Sequence, residues 1–270
     1  MAEVPEVETV ARDLQAALMG RTIESAEVLA PAVLRVGTPA EFVRDISGQR
    51  IAGARRRAKW LLIALSGGQT LAVHFMLFGY LRLVPNSAAH PPHTMLVLCL
   101  DGGEELRLID RLGYARVALA PLPELEHRLG LSSLGPEVLD EAFRPEQLEA
   151  QLARKRIPIK PALLDQHVVA GLGNRDADES LFRARMSPLR AAGTLTHDEA
   201  ARLTEAMRAV LSEGIAQRGS MRDLWGHRGT SLAHLDVFER EGQPCPGCGG
   251  RVVCIRQNGR HTYYCPDCQH

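Results

Sequence analysis

The second and third residues of the chain, Ala2 and Glu3, are the first pair whose chemistry could carry a reaction. Because Met1 precedes a small residue, we expect it to be removed, leaving the α-amine of Ala2 as the N-terminus. That amine has an ordinary pKa of about 7.7–8.0, so much of it is neutral near pH 7. A neutral amine can attack an electrophilic carbon, and the adjacent carboxylate can shuttle a proton. A second interpretation treats the segment as a helix start with acidic residues in its first turn, which the helix dipole favours.

Four cysteines near the C-terminus form two Cys-x-x-Cys pairs, Cys245 with Cys248 and Cys265 with Cys268. Sixteen residues separate the pairs, which is the length of a β-hairpin. Tetrahedral zinc requires four ligands from two rigid turns, and this spacing supplies them. We therefore expect one structural Zn²⁺ ion held by four cysteines, with no open coordination position. Folding of this segment should depend on the metal.

Composition excludes some classes of protein and leaves others open. The chain has 270 residues and a formal net charge of zero. It contains no apolar run of about 18 residues, so we expect no membrane span, and its acidic N-terminus is not that of a signal peptide. We therefore expect a cytoplasmic protein. Neutral charge argues mildly against nucleic-acid binding, but a one-sided basic surface remains open, because Arg and Lys cluster at Arg55–Lys59, Arg154–Lys160, Arg183–Arg190 and Arg218–Arg228.

The apolar pattern predicts a helix, then a β domain, then several helices. Helical spacing runs through residues 4–18 and stops at Gly20. Seven apolar stretches of strand length follow between residues 22 and 119, separated by hairpin-type turns, and predict a mainly antiparallel sandwich or barrel. Residues 126–143 contain Pro and Gly breaks and are interpreted as a linker.

Short helices are predicted beyond this linker. One begins at Pro145, one ends at Gly171, and a long one opens with a capping box from Thr196 to Glu199. The turn "GLGNRDAD", centred on Asn174, exposes backbone amides at a helix start, where phosphate can bind. Residues 217–235 lack periodicity and are interpreted as a mobile loop.

Together these segments resemble the formamidopyrimidine-DNA glycosylase and endonuclease VIII family of base-excision repair enzymes. The resemblance covers essentially the whole chain and rests on "EVPEVETV", "RRAKWLL", "HFMLFGYL", "DRLGYARV", "LGPE", "IKPALLDQHVVAGLGN", "ADESLFRAR" and "GRHTYYCPDCQ". It implies an α+β multidomain fold. The implied parts are a catalytic β-sandwich with an N-terminal helix at 1–125, a linker at 126–143, a helix-two-turn-helix domain with a lesion-side loop at 144–236, and a zinc finger with four cysteine ligands at 237–270.

The resemblance also implies a partner and a set of site residues. The partner is damaged DNA, duplex or single-stranded, whose damaged base is flipped out of the stack, and we expect the protein to be a monomer acting at the nucleoid. The implied catalytic residues are Ala2 as nucleophile and Glu3 as general acid and base. Glu6 would support the N-terminal helix and the site, and Lys59 would reach the phosphates and could supply a proton. The implied DNA-binding residues are His74, Met76, Leu77, Arg111, Leu112, Lys160, Asn174 and Arg260.

This chain departs from the family pattern at several of these positions. Ala2 stands where the family has proline, which leaves AP-lyase activity an open question, and Leu112 stands where it has phenylalanine. Arg175 and Asp176 replace an apolar–tyrosine pair beside the phosphate-binding turn, and an acid there should weaken anion binding. A smaller side chain at Leu112 and the altered turn could mean a relaxed demand for duplex DNA or a different lesion. From the resemblance, the first expectation is a glycosylase for oxidised or ring-opened bases.

Two other functions and two structural interpretations stay open. The chain could be a glycosylase for bulky or cross-linked adducts, or a non-catalytic protein that binds lesions or abasic sites. Taken alone, Lys59 could be a solvated strand end, and Arg111 could form a surface ion pair with Asp110.

Overall fold

A computed structural model describes residues 2–270, and the described chain divides into two compact units. The first unit contains the described residues up to Ser132 together with Arg218–Thr230, and the second contains Ser133–Gln217 and Ser231–His270. The division falls inside the stretch expected to be a linker. The expected removal of Met1 concerns a residue outside the described part of the chain.

The first unit begins with helix α1 (Val4–Leu18), whose start follows from its sequence. Glu3 is the N-cap residue and Pro5 lies in the first turn, where its missing N–H costs no hydrogen bond. The Glu6 carboxylate accepts a hydrogen bond from the Glu3 amide at 2.8 Å, as part of a capping box. Leu14 and Leu18 on the apolar face are fully buried in the core of this unit, so the helix is anchored by its packing.

Two four-stranded antiparallel sheets follow α1 in the first unit and share one hydrophobic core with it. The strands are β1 (Ile23–Val28), β2 (Ile51–Arg57), β3 (Trp60–Leu65), β4 (Gln69–His74), β5 (Tyr80–Pro85), β6 (Thr94–Leu100), β7 (Glu104–Ile109) and β8 (Arg116–Pro121). Their orders are β1-β6-β7-β5 and β2-β3-β4-β8. The expected antiparallel β-sandwich is confirmed, and each of the seven predicted stretches contains a strand.

Three elements of this unit did not emerge from apolar periodicity. They are β2 and the short helices α2 (Pro39–Ile46) and α3 (Leu122–Arg128). Strand β2 carries three consecutive arginines, Arg55–Arg57, and is held by antiparallel pairing with β3. Such strands and helices of two turns carry too few apolar residues for a period to stand out.

The second unit contains four α-helices and a hairpin, with short 3-10 turns between them. The helices are α4 (Pro145–Leu152), α5 (Ile159–Leu163), α6 (Asn174–Arg183) and α7 (His197–Ala216). The capping box at the start of α7 is confirmed, since the Thr196 amide donates to Glu199 Oε2 at 2.9 Å. The hairpin strands are β9 (Val253–Gln257) and β10 (Arg260–Tyr264), joined by Asn258 and Gly259 with φ of 48° and 76°. Both residues take the left-handed conformation that a two-residue hairpin turn requires.

The prediction of a helix that ends at Gly171 is wrong. Helix α5 ends at Leu163, and turns follow it. The Gln166 side chain accepts from the Gly171 amide at 2.8 Å and donates to the Leu172 carbonyl at 3.0 Å. A side chain that bonds nearby backbone groups competes with helical hydrogen bonds.

The segment expected to be a mobile loop, residues 217–235, contains a 3-10 turn at Ser231–His234 and no other helix or strand. None of the helices within residues 2–270 is long and apolar enough to cross a membrane.

Candidate functional site

The N-terminal residues lie inside the first unit and not on an exposed arm. Ala2 is only 2% exposed, and its nitrogen donates a hydrogen bond to the Met76 carbonyl at 3.3 Å. Met76 has a φ of 54°, so the turn after β4 is shaped to direct this carbonyl at the N-terminus. Ala2 also borders a pocket lined by Phe75, Met221 and Asp223 among others. An α-amine at this position would therefore be held in a fixed place at the edge of a pocket.

The carboxylate of Glu6 joins the start of α1 to the segment Arg218–Thr230. One oxygen accepts from the Glu3 amide, and the other accepts from both the amide and the hydroxyl of Ser220 at 2.7 Å. Gly219 has a φ of +64°, and a Cβ there would lie 2.9 Å from Glu6 Oε1. Glu6 is 3% exposed, which fits a supporting role in which it holds Glu3 and Ser220 in place.

His74 lies at the end of β4 in a position where it should remain neutral. The Met76 amide donates to His74 Nδ1 at 3.0 Å, so the ring proton belongs on Nε2. Burial, together with the positive charges of Lys59 and Arg116, lowers the pKa of His74 to about 4. The Trp60 ring contacts the imidazole edge-on, with centroids 5.0 Å apart. A neutral His74 can offer Nε2–H as a hydrogen-bond donor to a phosphate.

We expect NMR titration of His74 to give a pKa near 4, against about 6.5 for an unfolded histidine. Between those two pH values the unfolded chain binds the extra proton, so His74 makes the fold less stable as the pH falls through that window. The His74→Gln variant assigns the ring signals and should flatten this part of the stability profile. A titration of His74 centred near pH 6.5 would contradict the assignment.

The turn after β7 is fixed by one buried carboxylate. Asp110 is 2% exposed and accepts the backbone amides of Leu112, Tyr114 and Ala115 at 3.0, 2.7 and 2.7 Å. Among the described residues it forms no ion pair with Arg111, so the surface-pair interpretation of Arg111 has no support here. The turn instead presents Arg111 and Leu112 to solvent on a rigid base.

Sequence reasoning missed two aromatic neighbours of the expected DNA-contact residues. Phe78 is 49% exposed beside Leu77, and Tyr114 is 52% exposed beside Leu112. Large exposed side chains that gather at the ends of two strands indicate a contact surface. The available signal was an aromatic residue inside each of the turn segments "HFMLFG" and "DRLGY".

Lys160 and Asn174 were both expected to contact DNA. In the second unit they both bond the hairpin formed by β9 and β10. Lys160 is 1% exposed, pairs with Asp178 at 2.8 Å and donates to the His261 carbonyl and the Thr262 hydroxyl at 2.8 and 2.9 Å. Asn174 Nδ2 donates to the same carbonyl at 3.0 Å. The Lys160 ammonium is therefore engaged inside the protein, and it positions the hairpin that carries the exposed Arg260.

Asp178→Asn should destabilise this unit strongly, because it leaves the Lys160 ammonium buried beside a neutral group. Burial raises the pKa of Asp178 to about 7, with the Lys160 charge opposing the rise. Breaking a buried pair costs about 3–5 kcal/mol, whereas a surface pair contributes about 0–1 kcal/mol. Denaturant unfolding should show this contrast against Asp165→Asn, which removes the half-exposed partner of Lys155 at 2.9 Å. Equal losses in the two variants would contradict the account. Adding Lys160→Met to Asp178→Asn should recover part of the loss.

Asp176, the acid beside the turn expected to bind phosphate, does not act as a free negative charge. Arg175 Nε lies 3.0 Å from Asp176 Oδ1, and both side chains are buried. Gly173 is the N-cap of α6, and Asn174 is its first residue. The two departures from the family pattern therefore form a pair, which offsets the expected weakening of anion binding.

The four expected cysteines come together as a metal site. The Sγ atoms of Cys245, Cys248, Cys265 and Cys268 all lie within 4.8 Å of one another. Zn–S bonds of about 2.3 Å in a tetrahedron place the sulfurs about 3.8 Å apart, and the measured Cys245–Cys268 and Cys248–Cys265 separations are 3.8 and 3.5 Å. The donor set and its geometry fit one structural zinc ion.

Comparison with known proteins covers both units. The chain matches the family models of the formamidopyrimidine-DNA glycosylase N-terminal domain at residues 1–117, its H2TH domain at 134–224, and the zinc finger found in FPG and IleRS at 242–270. Formamidopyrimidine-DNA glycosylase of Pelotomaculum thermopropionicum is 46% identical over 275 residues, covering 100% of this chain and 99% of that protein. The corresponding protein of Moorella thermoacetica is 45% identical over 260 residues, covering 95% of each.

Solved structures agree with these sequence matches. Lactococcus lactis Fpg in complex with DNA that contains an abasic site has a TM-score of 0.94 to this structure, at 29% identity and with 100% of both chains covered. The chain therefore belongs to the formamidopyrimidine-DNA glycosylase family.

Proposed function

We propose that this DNA glycosylase excises oxidised or ring-opened bases with the α-amine of Ala2 as nucleophile and Glu3 as proton shuttle. The observation that carries the proposal is the buried Ala2 nitrogen, hydrogen-bonded to the Met76 carbonyl at the edge of a pocket. Family membership supports base excision as the reaction. Solved Lactococcus lactis relatives hold DNA that contains N7-benzyl-Fapy-dG or an oxidised pyrimidine, which supports the substrate class.

The proposed reaction starts when the neutral Ala2 amine attacks C1′ of the flipped nucleotide. The new N–C1′ bond forms as the glycosidic bond breaks, and its electron pair leaves with the base. Glu3 supplies a proton to the leaving side and takes back the proton that the amine loses. Opening of the sugar ring then gives an imine between Ala2 and C1′, which water hydrolyses to release the enzyme.

The identity of residue 2 affects the step after base release. Proline would give an imine nitrogen that keeps its positive charge, whereas alanine gives an imine that can lose a proton and become neutral. A neutral imine is a weaker electron sink for breaking the sugar–phosphate bond. We therefore propose that base release by this chain exceeds strand cleavage, with AP-lyase activity weak.

The remaining assigned residues fall into two proposed groups. Glu6 supports the nucleophile through Glu3 and Ser220, and Lys59 and the neutral His74 bind phosphate near the reacting sugar. The turns after β4 and β7 are proposed to fill the space left by the flipped base and to face the opposite strand. Their residues with this role are Met76, Leu77, Arg111 and Leu112, together with the exposed aromatic neighbours Phe78 and Tyr114. In the second unit, Asn174 and Arg260 bind the backbone beside the lesion, and Lys160 positions them.

Borohydride trapping on an abasic-site duplex tests the proposal directly. Reduction of the imine should leave a covalent adduct, and peptide mapping should place it on the residue-2 nitrogen. An adduct on Lys59, or no adduct in a preparation that still excises bases, would overturn the assignment of the nucleophile.

Partner and location follow from the substrate. The partner is damaged DNA, and we propose that the protein acts on it as a monomer at the nucleoid in the cytoplasm. The alternative of a non-catalytic lesion-binding protein is not favoured, because the relatives are glycosylases and Glu3 is present at the N-terminus.

A further inference from the structure

A groove on the first unit is lined by residues to which no role has been assigned so far. At one edge it borders His74. It opens beside the sheet β2-β3-β4-β8, where α3 packs against β4 and β8. Its lining residues are Arg35, Trp60, Arg116, Glu124, His127, Arg128 and Leu129. We call it the Arg35 groove.

The Arg35 groove has an excess of positive charge that the protein does not neutralise. Arg35 and Arg116 are both exposed, and within residues 2–270 neither has a carboxylate partner. The one carboxylate in the lining, Glu124, is taken by Arg128 at 2.7 Å. Two guanidinium groups that face solvent without a counter-charge form a surface suited to an anion.

The Arg35 groove is continuous with His74, which is proposed above to bind phosphate. Arg116 is the cross-strand partner of His74 on β8, and Trp60 is its partner on β3. The Trp60 ring touches the imidazole, and the Arg116 charge contributes to lowering the pKa of His74. Arg35 is held beside Arg116 because its amide donates to the Val117 carbonyl at 2.8 Å. Hydrogen-bond donors therefore continue from the neutral His74 through the charged Arg116 to Arg35.

We propose that the Arg35 groove binds the phosphodiester backbone of the DNA strand as it leaves His74. Guanidinium groups bind phosphate oxygens in a bidentate manner, and Trp60 supplies an apolar wall for the sugars or an unpaired base. Successive phosphates of an extended strand can then be met by His74, Arg116 and Arg35 in turn. The proposal rests on the DNA glycosylase function and adds a contact away from the lesion.

The double variant Arg35→Ala/Arg116→Ala tests this with duplexes that carry an abasic-site analogue. One duplex ends close to the lesion on both sides, and two others are lengthened on the 5′ or the 3′ side alone. Each lost phosphate contact should reduce the slope of log affinity against log salt by about 0.9, so the double variant should lose about 1.8. At about 0.1 M salt this corresponds to about 60-fold weaker binding. We expect that loss on one lengthened duplex, little change on the short one, and unchanged single-turnover excision at saturating enzyme.

A matched control removes two arginines that do not line the groove. Arg12 and Arg44 are exposed and already paired with Glu8 and Asp45 at 2.8 and 2.7 Å. Arg12→Ala/Arg44→Ala changes the net charge by the same amount as the groove variant. It removes no residue of the groove, so it should leave the salt slope nearly unchanged. Equal losses from the two double variants would show a general charge effect and overturn the proposal.

Two further results distinguish a backbone contact from a lesion contact and from a free-anion site. Equal weakening on short and long duplexes would place the arginines at the lesion and overturn a backbone contact beyond it. Titration with inorganic phosphate alone identifies a free-anion site. If phosphate bound saturably to the unmodified protein but not to Arg35→Ala/Arg116→Ala, and both bound DNA equally well, the backbone-contact proposal would also be overturned. If the unmodified protein bound none of the duplexes, the DNA glycosylase function itself would fail. If Arg35→Ala/Arg116→Ala bound DNA with an unchanged salt slope, the groove proposal would be overturned and the DNA glycosylase function would stand.

Discussion

Glu3→Gln is expected to abolish base excision while binding to lesion DNA persists. General acid–base groups contribute about 10²–10⁴-fold to a rate. The two other carboxylates that line the pocket beside Ala2 are engaged and should not replace Glu3: Glu6 accepts from Glu3 and Ser220, and Asp223 pairs with Arg218. Glutamine has nearly the same volume and keeps a side-chain oxygen for the start of α1, so the buried position should tolerate it. Single-turnover excision on a lesion duplex measures the loss, and affinity for an abasic-site analogue measures binding.

Glu8→Gln is the matched control for this substitution. Glu8 lies on the same helix, is half-buried and pairs with the exposed Arg12 and with Arg56 on β2, and neither of these arginines lines the pocket beside Ala2. It should retain full excision. If Glu3→Gln retained excision as well, the proton shuttle would have to be another group.

The same site gives a contrasting result when the nucleophile is altered. Residues added ahead of Ala2 turn its amine into an amide, so imine formation and borohydride trapping should both disappear. Ala2→Pro should instead raise strand cleavage relative to base release, because a proline imine stays charged. An N-terminal proline keeps an N–H, so the hydrogen bond to the Met76 carbonyl can still form. Trapping by the extended protein would place the nucleophile elsewhere, with Lys59 as the first candidate.

The second large effect is expected from loss of zinc. Cys265→Ser should remove the ion and abolish DNA binding while the first unit stays folded. Structural zinc sites of this kind contribute about 10–16 kcal/mol of apparent binding energy at pH 7. The hairpin beside the site has a small core, built around Val237 and Val252, that cannot replace such a contribution. Without the hairpin, the His261 carbonyl held by Lys160 and Asn174 and the side chain of Arg260 lose their positions.

Tryptophan fluorescence can follow the first unit alone during this experiment. The chain has two tryptophans, Trp60 and Trp225, and both belong to the first unit. Their emission should not change when zinc is lost, while metal content and DNA affinity both fall. Cys254→Ser is the control, since Cys254 lies in the same hairpin outside the metal cluster and should keep zinc and DNA affinity. Stoichiometric zinc with normal DNA affinity in Cys265→Ser would refute the four-cysteine assignment.

Features that depend on neighbours a few residues apart were determined by the sequence alone. The zinc ligands follow from two Cys-x-x-Cys turns, because each turn presents two thiolates without help from the rest of the chain. The capping box of Thr196 and Glu199, the start of α1 and the seven apolar strands depend on hydrogen bonds and periodicities of the same short range. The proposal that Ala2 and Glu3 react as a pair also starts from adjacent residues, and the family resemblance favours it over a plain helix start.

Only the tertiary structure decided features that join distant parts of the chain. Glu6 meets Ser220 across 214 positions, and Lys160 meets His261 across 101, so no local pattern marks either contact. Lys160 was expected to contact DNA, but packing between α5, α6 and the hairpin surrounds its ammonium with protein acceptors.

The Arg35 groove arises in the same way. Pairing of β3, β4 and β8 places Trp60 and Arg116 beside His74, and the backbone contact to Val117 brings Arg35 to the same edge. Propensity and spacing act over one or two turns of chain, whereas charge, burial and hydrogen bonding depend on which segments the fold brings together.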